Sequence, residues 1–311
     1  MTTSARSWQR SRTLHHRRFP LERLLSERDR ANPGGISVCL PARNEERTIG
    51  PILECLRRLQ HAGLVDQIVV VDDSSDGTAQ IARELGAEVY AQRELMPEAG
   101  EVLGKGDAMW RALPALRGEL ICFLDADSEC FGTHFVCGLL GPLLCDPRVS
   151  FVKAFYRRPF RLGGVTLPNE GGRVTELTAR PLLNLFYPEL AWFEQPLAGE
   201  VAARRTLLER LPFASGYGVD IGLLIDAYRA VGLESLAQVD LDVRQNAHQP
   251  LRELGGMAAA VLRTVALRLE REGRLLGPLP PGLLLPDDGG LRPQALSTTE
   301  RPPLVAVRAA A

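Results

Sequence analysis

Short apolar runs alternate with stretches of helical periodicity from residue 36 onward. The apolar runs, which have the length and composition of buried strands, cover residues 36–40, 67–71, 88–90 and 120–124. Between the first two runs, apolar side chains recur every three or four residues, at Ile49, Ile52, Leu53, Leu56 and Leu59. This segment is predicted to be a helix with one buried face, and a shorter helix is predicted after Thr78. The alternation predicts an α/β fold with a mostly parallel sheet covered by helices.

The pattern changes beyond residue 150. A further apolar run is followed by a glycine-bearing loop at 163–172, and helices are predicted near 174–187 and 219–231. The alternating Val239, Leu241 and Val243 predict one more strand. A last amphipathic helix contains Leu251, Leu254, Ala258, Val261, Leu262 and Val265. We expect this second half to be built onto the same sheet.

These patterns divide the chain into four segments, 1–33, 34–150, 151–272 and 273–311. The first is a basic arm that shows no clear periodicity, and the last is rich in Pro, Gly and Leu. We expect the arm to be partly disordered and the tail to be poorly ordered. The two middle segments are the folded halves in which a site is sought.

The composition is that of an ordinary globular protein. Among 311 residues, 45% are hydrophobic, and 37 basic side chains stand against 38 acidic ones. Because binding to a phosphate backbone needs a basic surplus, nucleic acid is not expected as a partner. The six cysteines form no CxxC pair, so neither a zinc site nor a disulfide framework is predicted. No apolar run has the length of a signal peptide or a membrane span, which predicts a cytoplasmic protein without membrane contact.

Three of the predicted strands end in polar clusters. The clusters are residues 41–46, 72–77 and 125–127. In open α/β sheets, ligands bind beyond the carboxyl ends of the strands, so the three clusters are expected to converge on one crevice.

Asp125-Ala126-Asp127 follows the buried run 120–124 and is the main candidate for a metal site. Two carboxylates beside a nucleotide sugar can hold a divalent metal that neutralises the departing diphosphate. A three-residue motif of this kind is also common as a solvated strand end or a helix cap. The neighbouring polar clusters favour the metal-dependent transfer of a sugar.

The other two clusters have both structural and binding interpretations. Asp73 lies in a run of carboxylates and turn formers that suits the N–H groups of a base, although Ser75 or Asp76 would equally serve as a helix cap. Glu45 or Glu46 has the chemistry to bind ribose or base, although residues 41–46 are also a plausible turn.

Two segments carry groups suited to anions. Lys105 lies between two glycines, where the backbone can approach a ligand closely and the lysine can meet a diphosphate. A solvated loop lysine is the alternative. Residues 171–176 place backbone amides, the Arg173 guanidinium and a hydroxyl at the start of a predicted helix, which indicates a phosphorylated or carboxylated acceptor.

Taken together, these segments resemble the glucosyl-3-phosphoglycerate synthases, retaining glycosyltransferases of GT-A fold that are related to the large family-2 transferases. The resemblance covers about residues 36–270. It depends on the blocks GKGDAMWR (104–111), VKAFYRRP (152–159), GGRVTEL (171–177), QPLAGE (195–200) and GYGVD (216–220).

The resemblance implies transfer of glucose from UDP-glucose to 3-phosphoglycerate, with Mg²⁺ or Mn²⁺ as cofactor, by a homodimer. It makes residues 34–150 the donor half and 151–272 the acceptor half. The donor-binding residues it implies are Pro41, Ala42, Glu45, Asp73, Lys105, Asp125, Ala126, Tyr217 and Arg244. The acceptor-binding residues are Gly172, Arg173, Thr175 and Asn246. Lys105, Asp127 and Asp220 are implied to act in catalysis, and Asp127 to bind the metal.

The chain departs from the family at two positions. Asp220 stands where the family usually has Glu, and Asn246 where the family has a histidine that binds the metal. Either His248 or the amide oxygen of Asn246 is then the third metal ligand.

Two other functions fit the same residues. One is transfer of another sugar on the same fold, as in a mannosyl-3-phosphoglycerate synthase. The other is a non-catalytic protein that only binds nucleotide sugars, which the replacement by Asn246 makes conceivable.

Overall fold

The computed structural model describes residues 3–162, 165–167, 172–245, 250–275, 282–287, 290–295 and 299–310. Within these residues, an eight-stranded sheet lies at the centre of the molecule, and helices cover both of its faces. This arrangement confirms the predicted α/β architecture.

The helices and strands have the following bounds. The helices are α1 (Thr3–Arg12), α2 (Leu21–Ala31), α3 (Ile49–His61), α4 (Thr78–Glu84), α5 (Lys105–Ala112), α6 (Thr133–Cys145), α7 (Arg180–Phe186), α8 (Arg205–Leu208), α9 (Val219–Val231), α10 (Leu251–Arg271) and α11 (Leu304–Ala310). The strands are β1 (Thr13–His15), β2 (Ile36–Ala42), β3 (Gln67–Asp72), β4 (Glu88–Ala91), β5 (Leu120–Phe123), β6 (Phe151–Arg157), β7 (Phe160–Leu162), β8 (Val165–Leu167), β9 (Val201–Arg204), β10 (Phe213–Ala214), β11 (Leu236–Val243), β12 (Gly282–Asp287), β13 (Gly290–Ala295) and β14 (Glu300–Arg301).

The strand order in the central sheet is β1-β11-β6-β9-β5-β2-β3-β4. Strand β9 runs antiparallel to both of its neighbours, while the other paired strands of this sheet are parallel. The predicted second half therefore contributes β6, β9 and β11 to the same sheet. Because β2, β3, β5, β6 and β11 point in one direction, their carboxyl ends lie at one edge.

Alternate residues of the strands pack into two hydrophobic layers, one on each face of the sheet. In β3, Ile68 and Val70 face the layer beneath α3 and α6, while Val69 and Val71 face the layer beneath α5 and α9. This is the period-two pattern of a strand buried on both sides.

Helix α6 was not among the predicted elements. Nearly all of its residues are buried, from Phe135 to Leu144, so it has no polar face to reveal a helical period. A helix that is apolar all round and a buried strand have similar sequence signals.

The arm has more structure than its sequence indicated. Strand β1 pairs in parallel with β11 and extends the sheet by one strand. Trp8 of α1 is fully buried, its ring packs on Phe193, and its indole N–H donates to the Leu236 carbonyl oxygen at 2.8 Å. A single anchoring tryptophan produces no periodicity, which explains the difference.

Part of the tail is also packed against the body of the protein. Strand β14 pairs with β10, and Leu304 at the start of α11 is buried in the core layer beneath α5 and α9. Trp110 donates its indole N–H to the Pro302 carbonyl oxygen at 2.8 Å. Trp110 and Pro302 are 192 positions apart in the sequence, and local sequence patterns carry no information about such contacts.

Candidate active site

A cleft of about 960 Å³ opens at the carboxyl edge of the sheet. The predicted site residues that line it are Pro41, Ala42, Glu45, Asp73, Lys105, Asp125, Ala126, Asp127, Gly172, Arg173, Thr175, Tyr217, Asp220 and Arg244. Asn246 and His248 lie outside the described residues. The structure therefore brings the predicted donor and acceptor segments together in one place.

Lys105 is the first residue of α5, and its ammonium group lies between two carboxylates. Its Nζ atom is 2.6 Å from Asp125 Oδ1 and 3.4 Å from Asp220 Oδ2. Burial opposes the charge of this lysine, but Asp125 and Asp220 outweigh burial and raise its pKa above the ordinary value. Lys105 is therefore a protonated, positively charged group in the wall of the cleft.

Arg244, directly after β11, connects the two aspartates of the motif to a buried acid. Its Nη2 atom contacts Asp127 and lies 3.1 Å from Asp125 Oδ2, and its Nε atom lies 3.1 Å from Glu200 Oε1. Tyr156 completes the group, since its hydroxyl donates to Glu200 Oε2 at 2.8 Å and accepts from Arg244 Nη1 at 2.9 Å. Four side chains, those of Asp125, Asp127, Glu200 and Tyr156, thus contact the Arg244 guanidinium.

The carboxylates in this group ionise differently. Burial disfavours the charged form of Asp125, but Lys105 and Arg244 hold its pKa well below its usual range. Burial raises the pKa of Glu200 and of Asp220, against the opposing effect of their cationic neighbours.

The loops after β2 and β3 are joined by hydrogen bonds. Asn44 adopts φ = 59°, and its side-chain oxygen accepts from the Ser75 N–H at 2.9 Å. The Glu45 N–H donates to Thr78 Oγ1 at 2.8 Å. Asp76 accepts from the Thr78 N–H at 3.0 Å, but the N-cap of α4 is Gly77 and not Ser75 or Asp76, and Asp73 lines the cleft.

Gly172, Arg173 and Thr175 form the opposite wall. Gly172 has φ = 75°, a conformation that suits glycine, and it leads into a π-helical turn over Thr175–Ala179 and then into α7. Short π-helical segments are frequent at functional sites. Arg158 also lines the cleft, and its Cδ atom lies 4.0 Å from the position that a Cβ atom on Gly172 would take.

Comparison with known proteins identifies the family. Residues 37–171 match the model of glycosyl transferase family 2. The glucosyl-3-phosphoglycerate synthase of Petrotoga mobilis is 44% identical over 267 residues, which are 85% of this chain and 82% of that protein. This chain belongs to the glucosyl-3-phosphoglycerate synthase family. It is therefore a hexosyltransferase, and the predicted activity class is confirmed.

Solved structures of the family agree with the fold. A mannosyl-3-phosphoglycerate synthase from Rubrobacter xylanophilus has a TM-score of 0.89 and 47% identity, covering 97% of this chain and 98% of that one. The Mycobacterium tuberculosis glucosyl-3-phosphoglycerate synthase in complex with Mn²⁺, UDP-glucose and phosphoglyceric acid has a TM-score of 0.81 and 40% identity, covering 93% of this chain and 95% of that one. The predicted GT-A fold is confirmed.

The residues near Asp127 fit a divalent cation of the kind bound in that neighbour. Asp125 and Asp127 supply carboxylate oxygens, the ligands that Mg²⁺ and Mn²⁺ prefer. Ser128 is buried at the cleft, and its hydroxyl makes no hydrogen bond within the described residues. Burial, and after it the charge of Asp127, raises the pKa of Glu45, so Glu45 is a further carboxylate beside the aspartate motif.

Three residues of this family member were not predicted as site residues. Glu200, Tyr156 and Lys153 lie within blocks that carry the resemblance, yet nothing local marks them as part of the site. Lys153 is fully buried and donates to the carbonyl oxygens of Ala198 at 2.7 Å and Asp220 at 3.3 Å. Their roles depend on tertiary contacts, so a search for polar clusters at strand ends does not find them.

No helix among the described parts of the chain has both the length and the apolar character needed to cross a membrane.

Proposed function

We propose that this chain transfers glucose from UDP-glucose to the hydroxyl group of 3-phosphoglycerate, with retention of configuration and with a divalent metal. The observation that carries this proposal is the single cleft in which Lys105 and the two aspartates of the motif face Arg173 and Thr175. A nucleotide sugar needs the first group, and a phosphorylated carboxylate needs the second.

We place the donor along the ends of β2, β3 and β5. Pro41, Ala42, Glu45 and Asp73 would hold the uridine, and Asp125 and Ala126 the ribose. Lys105 would contact the diphosphate, where its protonated ammonium group offsets the charge of the leaving group. Tyr217, Asp220 and Arg244 would line the sugar and the diphosphate.

The metal would be held by Asp127 together with Asn246 or His248. A bound Mg²⁺ or Mn²⁺ supplies charge stabilisation to a departing diphosphate. Asp127→Ala, Asn246→Ala and His248→Ala, each titrated with Mn²⁺ by calorimetry, distinguish the ligands, because loss of a ligand weakens metal binding.

Front-face attack is the mechanism that the paired charges support. Asp125 and Asp220 lie against Lys105, and Glu200 lies against Arg244, so each of these carboxylates is held by a cation and is poorly placed as a nucleophile. In this mechanism, the bond from the sugar C1 to the UDP oxygen breaks as the acceptor oxygen bonds to C1 on the same face. The acceptor proton passes to a phosphate oxygen of UDP.

Release of nucleoside diphosphate tests the function directly. UDP-glucose, GDP-glucose and GDP-mannose are each supplied with 3-phosphoglycerate, with and without Mg²⁺ or Mn²⁺. Metal-dependent release from UDP-glucose is expected. Preference for a mannose donor would instead support a mannosyl-3-phosphoglycerate synthase, the function of the Rubrobacter neighbour. Binding of UDP-glucose without any release would support the non-catalytic alternative.

Arg173→Ala tests the acceptor site. We expect the KM for 3-phosphoglycerate to rise by about tenfold or more, because a charge-assisted contact to phosphate or carboxylate is lost, while the KM for UDP-glucose changes little. Arg10→Ala, an exposed arginine on α1, is the control. An unchanged acceptor KM in Arg173→Ala would remove this residue from the acceptor site.

We also propose that residues 34–150 form the donor half and 151–272 the acceptor half of a cytoplasmic homodimer. Free thiols at all six cysteines, three of them buried, suit a reducing compartment. Leu177 and Leu185 are exposed apolar side chains that a subunit contact would cover. Sedimentation equilibrium at micromolar concentration measures the oligomeric state, and a monomer would refute the dimer.

A further inference from the structure

The segment 299–304, which we name the clasp, reaches back from the C-terminal part of the chain to the base of α5. It contains β14, which pairs with β10 so that Arg301 lies opposite Phe213 and Glu300 opposite Ala214. Its Thr299 carbonyl oxygen accepts from the Ser215 N–H at 3.3 Å. None of these residues lines the cleft described above.

Arg301 is the residue of the clasp that contacts α5. Its Nε atom donates to the buried carboxylate of Asp107, two positions after Lys105. Its two terminal nitrogens donate to the carbonyl oxygens of Ala99 at 2.6 Å and Glu101 at 2.9 Å. One side chain therefore joins the start of α5 to the loop that precedes it.

The charge of Asp107 is already balanced without Arg301. Arg111, four residues later in the same helix, donates to Asp107 Oδ2 at 2.8 Å and is fully buried. Gln92 donates to the same oxygen at 3.0 Å. Arg301 is thus not needed to neutralise the carboxylate, and its contribution lies in the geometry of the contacts it joins.

The packing around Gly106 transmits that geometry to Lys105. A Cβ atom at Gly106 would lie 1.8 Å from the Ala214 carbonyl oxygen, so α5 lies directly against β10 with no space between them. The Asp107 N–H donates to the Ser215 carbonyl oxygen at 3.2 Å. The clasp therefore holds both partners of this contact, β10 through strand pairing and α5 through Arg301.

We propose that the clasp fixes the position of Lys105 in the cleft and that Arg301 is a positioning residue for donor binding. This inference rests on the proposed function, in which Lys105 contacts the donor diphosphate. Lys105 is the first residue of α5. A shift of the start of this helix would therefore move its ammonium group relative to Asp125 and Asp220.

The test compares Arg301→Gln with Arg308→Gln in the full-length enzyme. Arg308 belongs to α11, is half exposed and pairs with Glu209 at 3.1 Å, away from α5. We expect Arg301→Gln to raise the KM for the nucleotide-sugar donor by about tenfold and to leave the acceptor KM within about twofold, because a small displacement of a ligand-binding group is costly. Arg308→Gln should change neither KM. Arg301→Lys, which keeps one donor nitrogen where Arg301 uses three, should raise the donor KM by less than Arg301→Gln does.

Equal donor KM values in Arg301→Gln and the wild type would overturn the proposal. So would a parallel change in both KM values, or a fall in kcat that follows a fall in Tm, because these results indicate a purely structural role. If Arg301→Gln is insoluble, Arg301→Lys is measured in its place. An unchanged donor KM in Arg301→Lys would then refute the proposed role of Arg301 in positioning Lys105.

Failure of the proposed function is recognised separately. If the wild type does not use UDP-glucose, the same variants are compared for their affinity for UDP with Mn²⁺, measured by calorimetry. A weaker UDP affinity in Arg301→Gln then still supports the clasp, and an equal affinity refutes it.

Discussion

Arg244 is a residue at which three carboxylates of the site meet. It contacts Asp125, Asp127 and Glu200, and these partners, against the opposing effect of burial, raise its pKa further above the ordinary value. A buried guanidinium without such partners would be strongly destabilising. The contact with buried Glu200 therefore helps to stabilise a buried arginine beside the aspartate motif, while Asp127 remains partly exposed to the cleft.

Asp127→Ala is expected to abolish metal-dependent turnover. Loss of a metal ligand removes several kcal/mol of charge stabilisation, so we expect kcat to fall by about 1,000-fold, while the free energy of unfolding changes by no more than about 1 kcal/mol. Turnover is measured as UDP release, and unfolding by urea titration. Asp29→Ala, at an exposed position on α2, is the control. Near-normal turnover in Asp127→Ala would remove this residue from the metal site.

Among the elements, β1 and β14 show how terminal segments support the site. Strand β1 covers the edge of the sheet next to β11, the strand that leads to Arg244. Strand β14 pairs with β10, and its Arg301 contacts Asp107 of α5, the helix that begins with Lys105. Each support comes from a segment that is distant in sequence from the residue it supports.

Trp8→Ala tests how firmly the arm is docked. Because the indole is fully buried and hydrogen-bonded to Leu236, the free energy of unfolding is expected to fall by about 3–5 kcal/mol. Urea unfolding gives the value, with Arg10→Ala as the matched control on the same helix, for which a change within about 0.5 kcal/mol is expected. A Trp8→Ala protein as stable as the wild type would show that α1 does not contribute to the folded core.

At the scale of the whole molecule, β9 joins the strands that lead to the proposed donor and acceptor sides of the cleft. It lies antiparallel between β5, which leads to the aspartate motif, and β6, which leads to Arg158 and the proposed acceptor wall. Lys153 of β6 lies at this junction, faced by Asp220, Lys105, Glu200 and Asp125.

Stability should depend on pH through Lys153. Burial lowers the pKa of this lysine to about 8, against an ordinary value of about 10.4. Below pH 8 both the native and the unfolded protein hold the proton. Between pH 8 and about pH 10.4 the unfolded chain binds more protons than the native protein. This lysine therefore makes the free energy of unfolding rise with pH, by up to about 3 kcal/mol.

Lys153→Met removes this titration at nearly constant volume. Urea unfolding of both proteins at pH 7, 8, 9 and 10 should show the wild type gaining stability relative to the variant as the pH rises. A difference that stays constant over this range would refute the assignment.

Much of the site was predictable because its parts are local. The aspartate motif, the Gly-Lys-Gly segment and the Gly-Gly-Arg segment are each read from a few consecutive residues, and parallel strands require that their polar ends share one edge. Helix α9 was predicted with the bounds that the structure has, Val219–Val231, and its residues 219–225 are all buried.

The sequence by itself determined the α/β alternation, the site edge and the chemistry of the residues placed there, because strand and helix periods and turn residues act over short distances. Only the tertiary structure decided that Arg244 joins Asp127 to Glu200, that Trp8 anchors the arm, and that Arg301 reaches Asp107. Those contacts depend on which segments become neighbours after folding. A buried charge or ring takes its partner from whatever the packed sheet brings within hydrogen-bond distance, and no local pattern encodes that choice.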